Sequence, residues 1–443
     1  MDTPVADFVR AYGQGQGVRF HMPGHKGQLF LGCEGWDITE IGGADVLYED
    51  EGILGESQKN AAMLFGTGRT CYAAGGSSQC VKAMLRLALL HRPEGSEPLI
   101  LAARNVHKSF VFAAALLGFE TEWLYPRERL SLCSCPIEAE DLEKTLQSIT
   151  KVPAAVYVTS PDYLGHEADI EGLAQVCHAH GTRLLVDNAH GAYLHFLPAP
   201  RHPMDLGADL CCDSAHKTLP VVTGGAYLHC RKGLESVFGA DMPEALSIFG
   251  STSPSYLTLA SLDLCNAYLE GYGERLKSWV EKLDALKVRL EDLGWGVEKS
   301  DPLRLTLRAE EGSSGFALHQ RLRAQGMECE YADEEFLVLM TTPENGEGAL
   351  DKLEKALGRA EKPPKKVRPL PILKPKRVLS MREALLSPHE TLPLEAALGR
   401  ICAAPTVSCP PAVPLIVSGE MADEETLAAC RRYGIDRLEA VKA

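Results

Sequence analysis

The sequence lacks any run of about 18 apolar residues, the length that a membrane-spanning helix needs. Its first residues, Met1–Pro4, are polar and acidic and lead into no apolar signal core. A basic surface is missing too, because the formal net charge is −15 at pH 7, and nucleic acids and anionic membranes both require such a surface. We therefore expect a cytoplasmic protein that binds neither a membrane nor a nucleic acid.

Several functional motifs are also missing. The fourteen cysteines include no Cys-x-x-Cys pair, so we expect reduced thiols rather than disulfides or a metal–thiolate site. The sequence contains no His-Glu-x-x-His spacing, and we predict no metal site from the histidines near position 190. Asp187–His190 is similar to the acidic box of helicases, but no Gly-x-x-x-x-Gly-Lys-[Ser/Thr] phosphate loop accompanies it.

What is present indicates a large globular α/β protein. The chain has 443 residues, 45% of them hydrophobic and 24% charged, and this length suggests roughly three domains. From about Glu56 to Cys230, helix-like segments alternate with short apolar strands, which predicts a mostly parallel sheet covered on both faces. The predicted divisions are an N-terminal segment (1–55), a large domain (56–255), a bridging helix with a small α/β domain (256–360), a solvated linker (361–377) and a C-terminal subdomain (378–443).

A lysine and an aspartate follow two of the predicted strands. Asp187 closes the apolar run Arg183–Val186, and Lys217 follows a later apolar run in Ser214-Ala215-His216-Lys217. A lysine that forms a Schiff base with pyridoxal phosphate, and an acid that keeps the cofactor's pyridinium nitrogen protonated, belong at the ends of neighbouring buried strands. The pair therefore predicts a pyridoxal phosphate site in the large domain.

Three His-Lys dipeptides compete for the role of the Schiff base lysine. His25-Lys26 lies in a turn with no strand before it, which is typical of a solvated lysine. His107-Lys108 follows the strand Leu99–Ala103, so His107 is placed to face the cofactor ring. Lys217 has a strand before it and an acid one strand earlier, and we therefore predict Lys217.

Gly75-Gly76-Ser77-Ser78 precedes a helical stretch and offers amides and hydroxyls to the cofactor phosphate. Alone, such a tetrapeptide is more typical of a plain loop and helix cap. Asp187 likewise has an ordinary alternative as a helix cap, and His190 as a packed core residue. The convergence of these residues with Lys217 in one alternating domain favours the cofactor site.

As a set, the motifs resemble those of the Orn/Lys/Arg decarboxylases, especially their shorter bacterial forms, which have the aspartate aminotransferase fold (fold type I). The resemblance runs nearly end to end. The motifs that carry it are His21–Gly27, Asp37–Glu40, Arg104–Ser109, Asp187–Ala192, Asp213–Pro220, Thr252–Tyr256 and, in the tail, Pro410–Pro414 and Ser418–Glu420.

The resemblance implies pyridoxal 5′-phosphate as cofactor, decarboxylation of arginine, lysine or ornithine as the reaction, and a homodimer as the smallest unit, with the loop around Ser253 near a neighbour's site. It implies that Lys217 carries the cofactor, Asp187 pairs with the pyridinium nitrogen and His107 stacks on the ring. The phosphate ligands that it implies are Gly76, Ser77, Ser78, Ser214 and His216, with Ala189 and His190 on the cofactor's other face.

The chain also departs from the family pattern. Asn188 stands where the family usually has glutamate, the phosphate loop lacks one hydroxyl and its usual Gly-Asn, and Gly43–Leu47 lacks one acid. The substrate therefore stays open among the basic amino acids, because a distal cation needs carboxylates to receive it. Candidate acids are Glu40, Asp45 and Asp50.

Two alternatives remain. One is a pyridoxal phosphate aminotransferase or lyase in which Arg304 binds the substrate carboxylate. The other is a degenerate relative that binds the cofactor in a regulatory role, which the altered phosphate loop motivates.

Overall fold

The structure, a computed structural model, describes residues 1–128, 131–367, 369–407 and 413–442. Its centre is a seven-stranded sheet. The strands are β1 (Arg69–Ala73), β2 (Glu97–Ala103), β3 (Glu120–Leu124), β4 (Pro153–Thr159), β5 (Leu184–Asp187), β6 (Leu210–Asp213) and β7 (Ala226–Cys230). They lie in the order β1-β7-β6-β5-β4-β2-β3, and the pairs are parallel except where β7 meets β1 and β6. The predicted α/β fold with a mostly parallel sheet is confirmed.

Helices cover this sheet on both faces. They are α1 (Pro4–Gln14), α2 (Gly52–Leu64), α3 (Ser77–Leu90), α4 (Lys108–Leu117), α5 (Ala139–Ser148), α6 (Ile170–Ala179), α7 (Ala215–Thr218), α8 (Glu235–Phe238) and α9 (Met242–Ser247). Along β4, Ala155 and Tyr157 pack into a core with α3 and α4, whereas Val156 and Val158 pack into a second core with α5 and α6. The alternation follows from the two-residue period of a strand that is buried on both faces.

The sheet also brings strand ends together. Neighbouring strands β2, β4, β5 and β6 are parallel, so their carboxyl ends meet at one edge. Asp187 is the last residue of β5, and Asp213 is the last residue of β6. The chain then turns from β6 directly into α7, which contains Lys217. The two predicted key residues therefore start from adjacent strand ends.

The single bridging helix predicted at the start of the division 256–360 is wrong. The segment forms α10 (Tyr256–Leu269) and α11 (Tyr272–Asp292). Gly271, which precedes α11, has a φ of 72°, in the left-handed region that favours glycine. The apolar spacing continues through the break because both helices bury a face against the same core. Periodicity alone therefore did not reveal the turn.

A second sheet of four antiparallel strands follows. Its strands are β8 (Gly296–Glu298), β9 (Arg304–Arg308), β10 (Tyr331–Ala332) and β11 (Phe336–Met340), in the order β10-β11-β9-β8. Helices α12 (Gly315–Arg323) and α13 (Ala349–Leu357) accompany it. In α13, Leu350, Leu353 and Leu357 recur at helical spacing and are buried. The segment predicted as a small α/β domain thus contains both strands and helices.

The C-terminal elements are α14 (Met381–Leu386), β12 (His389–Pro393), β13 (Thr406–Val407), β14 (Ile416–Val417), α15 (Glu424–Arg432) and β15 (Arg437–Val441). The segment predicted as a solvated linker buries Leu370 and Leu373 in the core of these elements, so packing holds part of it. Of the tail motif, Pro410–Ala412 lies outside the described residues. The predicted domain boundaries stay predictions.

A buried ion pair joins this C-terminal region to the large sheet. Arg104, directly after β2, donates to both carboxylate oxygens of Glu420 at 2.6 and 2.7 Å. The side chains are only 1% and 3% exposed, and the guanidinium lies 4.7 Å from the ring centroid of Trp123. Because an ion pair at this depth is costly to break, it holds the C-terminal region against the end of β2.

The N-terminal segment packs on the large domain through α1, whose Ala6 amide donates to Asp263 of α10 at 2.9 Å. Beyond α1 the chain exposes a series of large apolar side chains: Val18, Phe20, Met22, Leu29, Phe30 and Leu31. The carboxylate of Glu34 accepts the amides of Phe30 and Gly32 at 2.9 Å, which fixes the loop that presents them. Within the described parts of the chain, the helices include none with the length and apolar character to cross a membrane.

Candidate active site

A cavity of about 790 Å³ lies at the carboxyl edge of the large sheet. Its wall contains all the residues predicted for the site from the sequence. They are Gly76, Ser77, Ser78, His107, Asp187, Ala189, His190, Ser214, His216 and Lys217. The structure thus brings them together, and their individual roles stay predictions.

The phosphate loop lies between β1 and α3. Gly76 has a φ of 70°, and its amide donates to the carbonyl of Gly224 at 2.7 Å. Ser77 is the first residue of α3, and its hydroxyl accepts from that of Ser214 at 2.7 Å. The first amides of a helix have no acceptor within the helix and carry its positive dipole end. Two hydroxyls and a helix N-terminus therefore converge where an anion is stabilised.

Gln79 lies in the phosphate loop, where the chain lacks the family's usual Gly-Asn. Its Oε1 accepts the amide of Gly75 at 3.0 Å, and its Nε2 donates to the phenol of Tyr48 and to the carbonyl of Leu246, both at 2.9 Å. The side chain is 2% exposed. It fixes the loop from behind and makes the tight turn rigid without occupying the cavity wall.

Asp187 is 3% exposed. Its Oδ2 accepts from the phenol of Tyr157 at 3.0 Å, while its Oδ1 accepts the Ala189 amide at 3.2 Å and the Cys212 thiol at 3.7 Å. Within the described residues, no lysine, arginine or histidine forms an ion pair with it. A buried carboxylate is costly without a cation, so this site fits the protonated ring nitrogen of pyridoxal phosphate.

Lys217 approaches the cavity from α7, and its Nζ lies 2.8 Å from Nε2 of His190. Burial of the ammonium among protein atoms lowers the pKa of Lys217, against the opposing charges of Asp187 and Glu330. Burial also lowers the pKa of His190 well below its usual value, with further repulsion from Lys217 and Arg304. Both groups are thereby pushed toward their neutral forms.

His107 caps α4, since its Nδ1 accepts the amide of Ser109 at 3.3 Å and lies 2.8 Å from the hydroxyl of the same residue. The imidazole is held in place at the cavity wall. His216 has its Nδ1 3.1 Å from the carbonyl of Gly225. Both rings are thus oriented by neighbouring backbone or side-chain groups before any ligand arrives.

Asn188, which stands where the family usually has glutamate, is a second departure. Its Nδ2 donates to Oδ1 of Asp213 at 2.7 Å, and Oδ2 of Asp213 accepts from Nε2 of His202 and of His229 at 3.0 and 3.1 Å. The neighbouring imidazoles hold the pKa of the Asp213 carboxyl well below its usual range, although burial acts against them. A neutral amide at position 188 suits this buried carboxylate, and the network fixes the end of β6 that leads to Lys217.

The candidate acids of the N-terminal segment do not line the described cavity. Asp45 accepts the amide of Ile53, and Asp50 pairs with Arg69 and accepts from Gln58. Those two carboxylates anchor the start of α2 and its neighbours. In this chain's own site, the prediction that they receive the substrate cation is therefore not supported.

Two other acids lie at or near the cavity. Asp162 lines the cavity, but its carboxylate already accepts the amides of Leu164 and His166 and the His166 ring nitrogen at 2.9, 2.9 and 3.0 Å. Glu330 is exposed and accepts from the phenol of Tyr163, a cavity-lining residue. Glu330 therefore keeps free acceptor capacity near the cavity.

Sequence reasoning missed several residues of the wall: Cys133, Thr159, Tyr163, Pro405 and Thr406. It also missed Tyr157, which bonds Asp187. Because Thr159 pairs with Asp187 across β4 and β5, Tyr157 lies on the same face as Asp187. This strand register is the signal that identifies Tyr157 as a partner of Asp187, and a single sequence does not reveal it.

Comparisons with known proteins are consistent with this geometry. The family profile described as "Orn/Lys/Arg decarboxylase, major domain" matches residues 3–306. The uncharacterized protein YaaO of Bacillus subtilis is 30% identical, over 98% of this chain and 94% of its own. An arginine decarboxylase of Halalkalibacterium halodurans is also 30% identical, over 97% of this chain and 93% of its own.

Among solved structures, the lysine decarboxylase LdcF of Francisella novicida superposes with a TM-score of 0.81 at 15% identity, covering 99% of this chain and 81% of its own. That similarity confirms the predicted fold. The extent of the family match and of the relatives' coverage establishes the family. The chain belongs to the Orn/Lys/Arg decarboxylases and is a pyridoxal 5′-phosphate-dependent decarboxylase.

Proposed function

We propose that this protein decarboxylates a basic amino acid to carbon dioxide and the corresponding amine, and that arginine is the first of arginine, lysine and ornithine to test. The observation that carries the proposal is the buried Asp187 carboxylate, which has no cation partner among the described residues and shares a cavity with Lys217. Similarity to relatives named arginine decarboxylase supports the order of substrates.

Pyridoxal phosphate, when bound, supplies the sink for the electron pair that carbon dioxide leaves behind. Asp187 would keep the ring nitrogen protonated, and Lys217 would be the point of attachment. His107 would lie on one face of the ring, with Ala189 and His190 on the other. The proposed phosphate ligands are Gly76, Ser77, Ser78, Ser214 and His216.

Glu330 is the acid that we propose for the distal cation of the substrate. Its charge opposes the effect of burial on the pKa of Lys217, so its carboxylate is within electrostatic reach of the substrate site. Tyr163 donates to Glu330 and packs edge-on to His190, with ring centroids 5.1 Å apart. A guanidinium or ammonium is well received by a carboxylate whose direction is fixed in this way.

Release of carbon dioxide from single amino acids tests this function. Purified protein supplied with pyridoxal phosphate is incubated with arginine, lysine, ornithine or glutamate, each without a keto acid. We expect carbon dioxide from a basic amino acid and none from glutamate. Product formation that depends on an added keto acid would instead favour an aminotransferase, and a cofactor spectrum without turnover would favour a regulatory relative.

We also propose a homodimer as the working unit. Among the exposed apolar side chains between positions 18 and 31, those of Phe20, Met22 and Leu31 are 68–92% exposed. Hydrogen bonds to Glu34 fix the loop that presents Leu31. Clusters of exposed large apolar side chains mark interaction surfaces, and a second copy of this chain would cover this one. Sedimentation should give a dimer that Phe20→Ser with Leu31→Ser weakens, whereas Val288→Ser, an exposed apolar position on α11, should not.

A further inference from the structure

Arg304 has a fixed place behind the cavity. It is 1% exposed, its Nε lies 3.1 Å from Oδ2 of Asp301, and its Nη1 donates to the carbonyl of Asp162. Asp301 is itself held by the phenol of Tyr193 and by the Leu303 amide at 3.1 Å. Arg304 is not among the described residues that line the cavity, so binding a substrate carboxylate would require breaking a buried ion pair.

The remaining contact of Arg304 determines how protons are placed on His190. Nη2 of Arg304 lies 2.7 Å from Nδ1 of His190. A guanidinium has only donors, so Nδ1 must accept and carries no proton. A neutral imidazole has one N–H group, which is then on Nε2. His190 therefore presents a donor to Nζ of Lys217, 2.8 Å away.

A donor facing Lys217 requires an acceptor. An ammonium has no lone pair, whereas a neutral amine has one. Both contacts of His190 are therefore satisfied when Arg304 is a guanidinium, His190 is a neutral imidazole protonated on Nε2, and Lys217 is a neutral amine. An imidazolium would place a proton on Nδ1 against the guanidinium.

From this geometry we propose that Arg304 is a positioning residue that fixes the His190 tautomer and thereby holds Lys217 as the neutral amine that attacks the cofactor aldehyde. The inference rests on the proposed role of Lys217. In the attachment step the amine lone pair adds to the aldehyde carbon, a C=N bond forms, and the two amine hydrogens leave with the aldehyde oxygen as water. An ammonium has no lone pair for this step, so the rate follows the neutral fraction.

Other charges also act on this pair. Acids that favour the ammonium of Lys217 are Asp187 and Glu330, together with the thiol of Cys212; groups that disfavour charge on Lys217 or His190 are Arg304, His107 and His216. Burial is the largest effect on both residues. Arg304 differs from the rest because it also directs a hydrogen bond at Nδ1 of His190.

The test is the pH dependence of cofactor uptake by the cofactor-free protein, followed by visible absorbance. In Arg304→Met with Asp301→Asn, both members of the buried ion pair become neutral, and His190 is free to accept from a Lys217 ammonium. We expect uptake at pH 7 to slow about tenfold, with the midpoint moved up by about one pH unit. Arg304→Lys, which keeps a cation and a donor, should lie near the wild type.

A wild-type pH midpoint in the double variant would overturn the proposal, and raised KM for the amino acid with normal uptake would assign Arg304 to the substrate carboxylate instead. Should the double variant fail to fold, ¹⁵N shifts of His190 in the wild-type protein, assigned with His190→Gln, decide the matter: Nε2–H is expected, and Nδ1–H contradicts it. Uptake and borohydride-fixed attachment that persist in Lys217→Ala would instead refute the proposed role of Lys217.

Discussion

The cavity has a cofactor wall and an outer wall that are built differently. The cofactor wall consists of residues at or just after the ends of β2, β5 and β6, together with the turn into α3, and its polar groups have short hydrogen bonds. The outer wall is assembled from a loop, the small sheet region and the C-terminal region: Tyr163 meets Glu330 across 167 residues of sequence, and Pro405 and Thr406 come from the tail.

This difference separates the residues that support the reaction from those that select the substrate. Groups that are buried and hydrogen-bonded keep a fixed direction, as attachment and electron withdrawal require. Groups at the exposed side can change without disturbing the chemistry, so substrate selection can be varied there. We therefore expect changes in the cofactor wall to abolish turnover and changes in the outer wall to alter which substrate is used.

The largest effect is expected from Lys217→Ala. Without the amine no covalent attachment of the cofactor occurs, and decarboxylation should fall by about 1,000-fold or more. Borohydride reduction followed by peptide mapping measures the attachment. Lys26→Ala is the matched control, because Lys26 also follows a histidine but its Nζ donates to the carbonyl of His21; an adduct on Lys26 or Lys108 in the Lys217 variant would contradict the assignment.

Asp187→Asn should have the next largest effect. The amide keeps the shape but removes the charge that a protonated ring nitrogen requires, which should cost about 2–4 kcal/mol of transition-state stabilisation for a buried charge pair. Activity should fall by about 30- to 1,000-fold, measured with saturating cofactor.

Tyr157→Phe is the matched control for that variant. It removes the hydrogen bond to Oδ2 of Asp187 and leaves the carboxylate in place. The expected loss of transition-state stabilisation, measured as activity, is therefore only about 1.5–3 kcal/mol. Equal losses in the two variants would show that hydrogen bonding, rather than charge, is what Asp187 contributes.

The residues of the cofactor wall could be grouped from the sequence because they follow local rules. Asp187 ends an apolar strand, Lys217 lies in the short helix that follows the next strand, and Ser77 begins a helix, so a strand–turn–helix pattern was enough to group them. The two helices of 256–293 and the position of Tyr157 depend on tertiary packing and strand register. The outer wall could not be predicted, since no local signal joins Tyr163 to Glu330 or Thr406 to the sheet.

Breaking the Arg104–Glu420 pair should loosen the outer wall. Arg104→Met leaves the Glu420 carboxylate buried without its cation, which is expected to cost about 3–5 kcal/mol of unfolding free energy. The double variant with Glu420→Gln should recover part of that loss, because no unpaired charge remains. Chemical denaturation measures both, and an unchanged midpoint in the single variant would contradict the role of the pair in holding the C-terminal region.

The smallest effect, and the sharpest test of the difference between the walls, is expected from Glu330→Gln. Loss of the carboxylate should raise the KM for arginine about tenfold, about 1.4 kcal/mol, while kcat and cofactor uptake stay close to wild type. Citrulline, the uncharged analogue of arginine, should be affected little, so the preference for the cation should fall. Glu334→Gln, at a neighbouring exposed acid, should leave both substrates unchanged. A fall in kcat without a change in preference would place Glu330 with the cofactor wall, because selection and chemistry would then depend on the same residue.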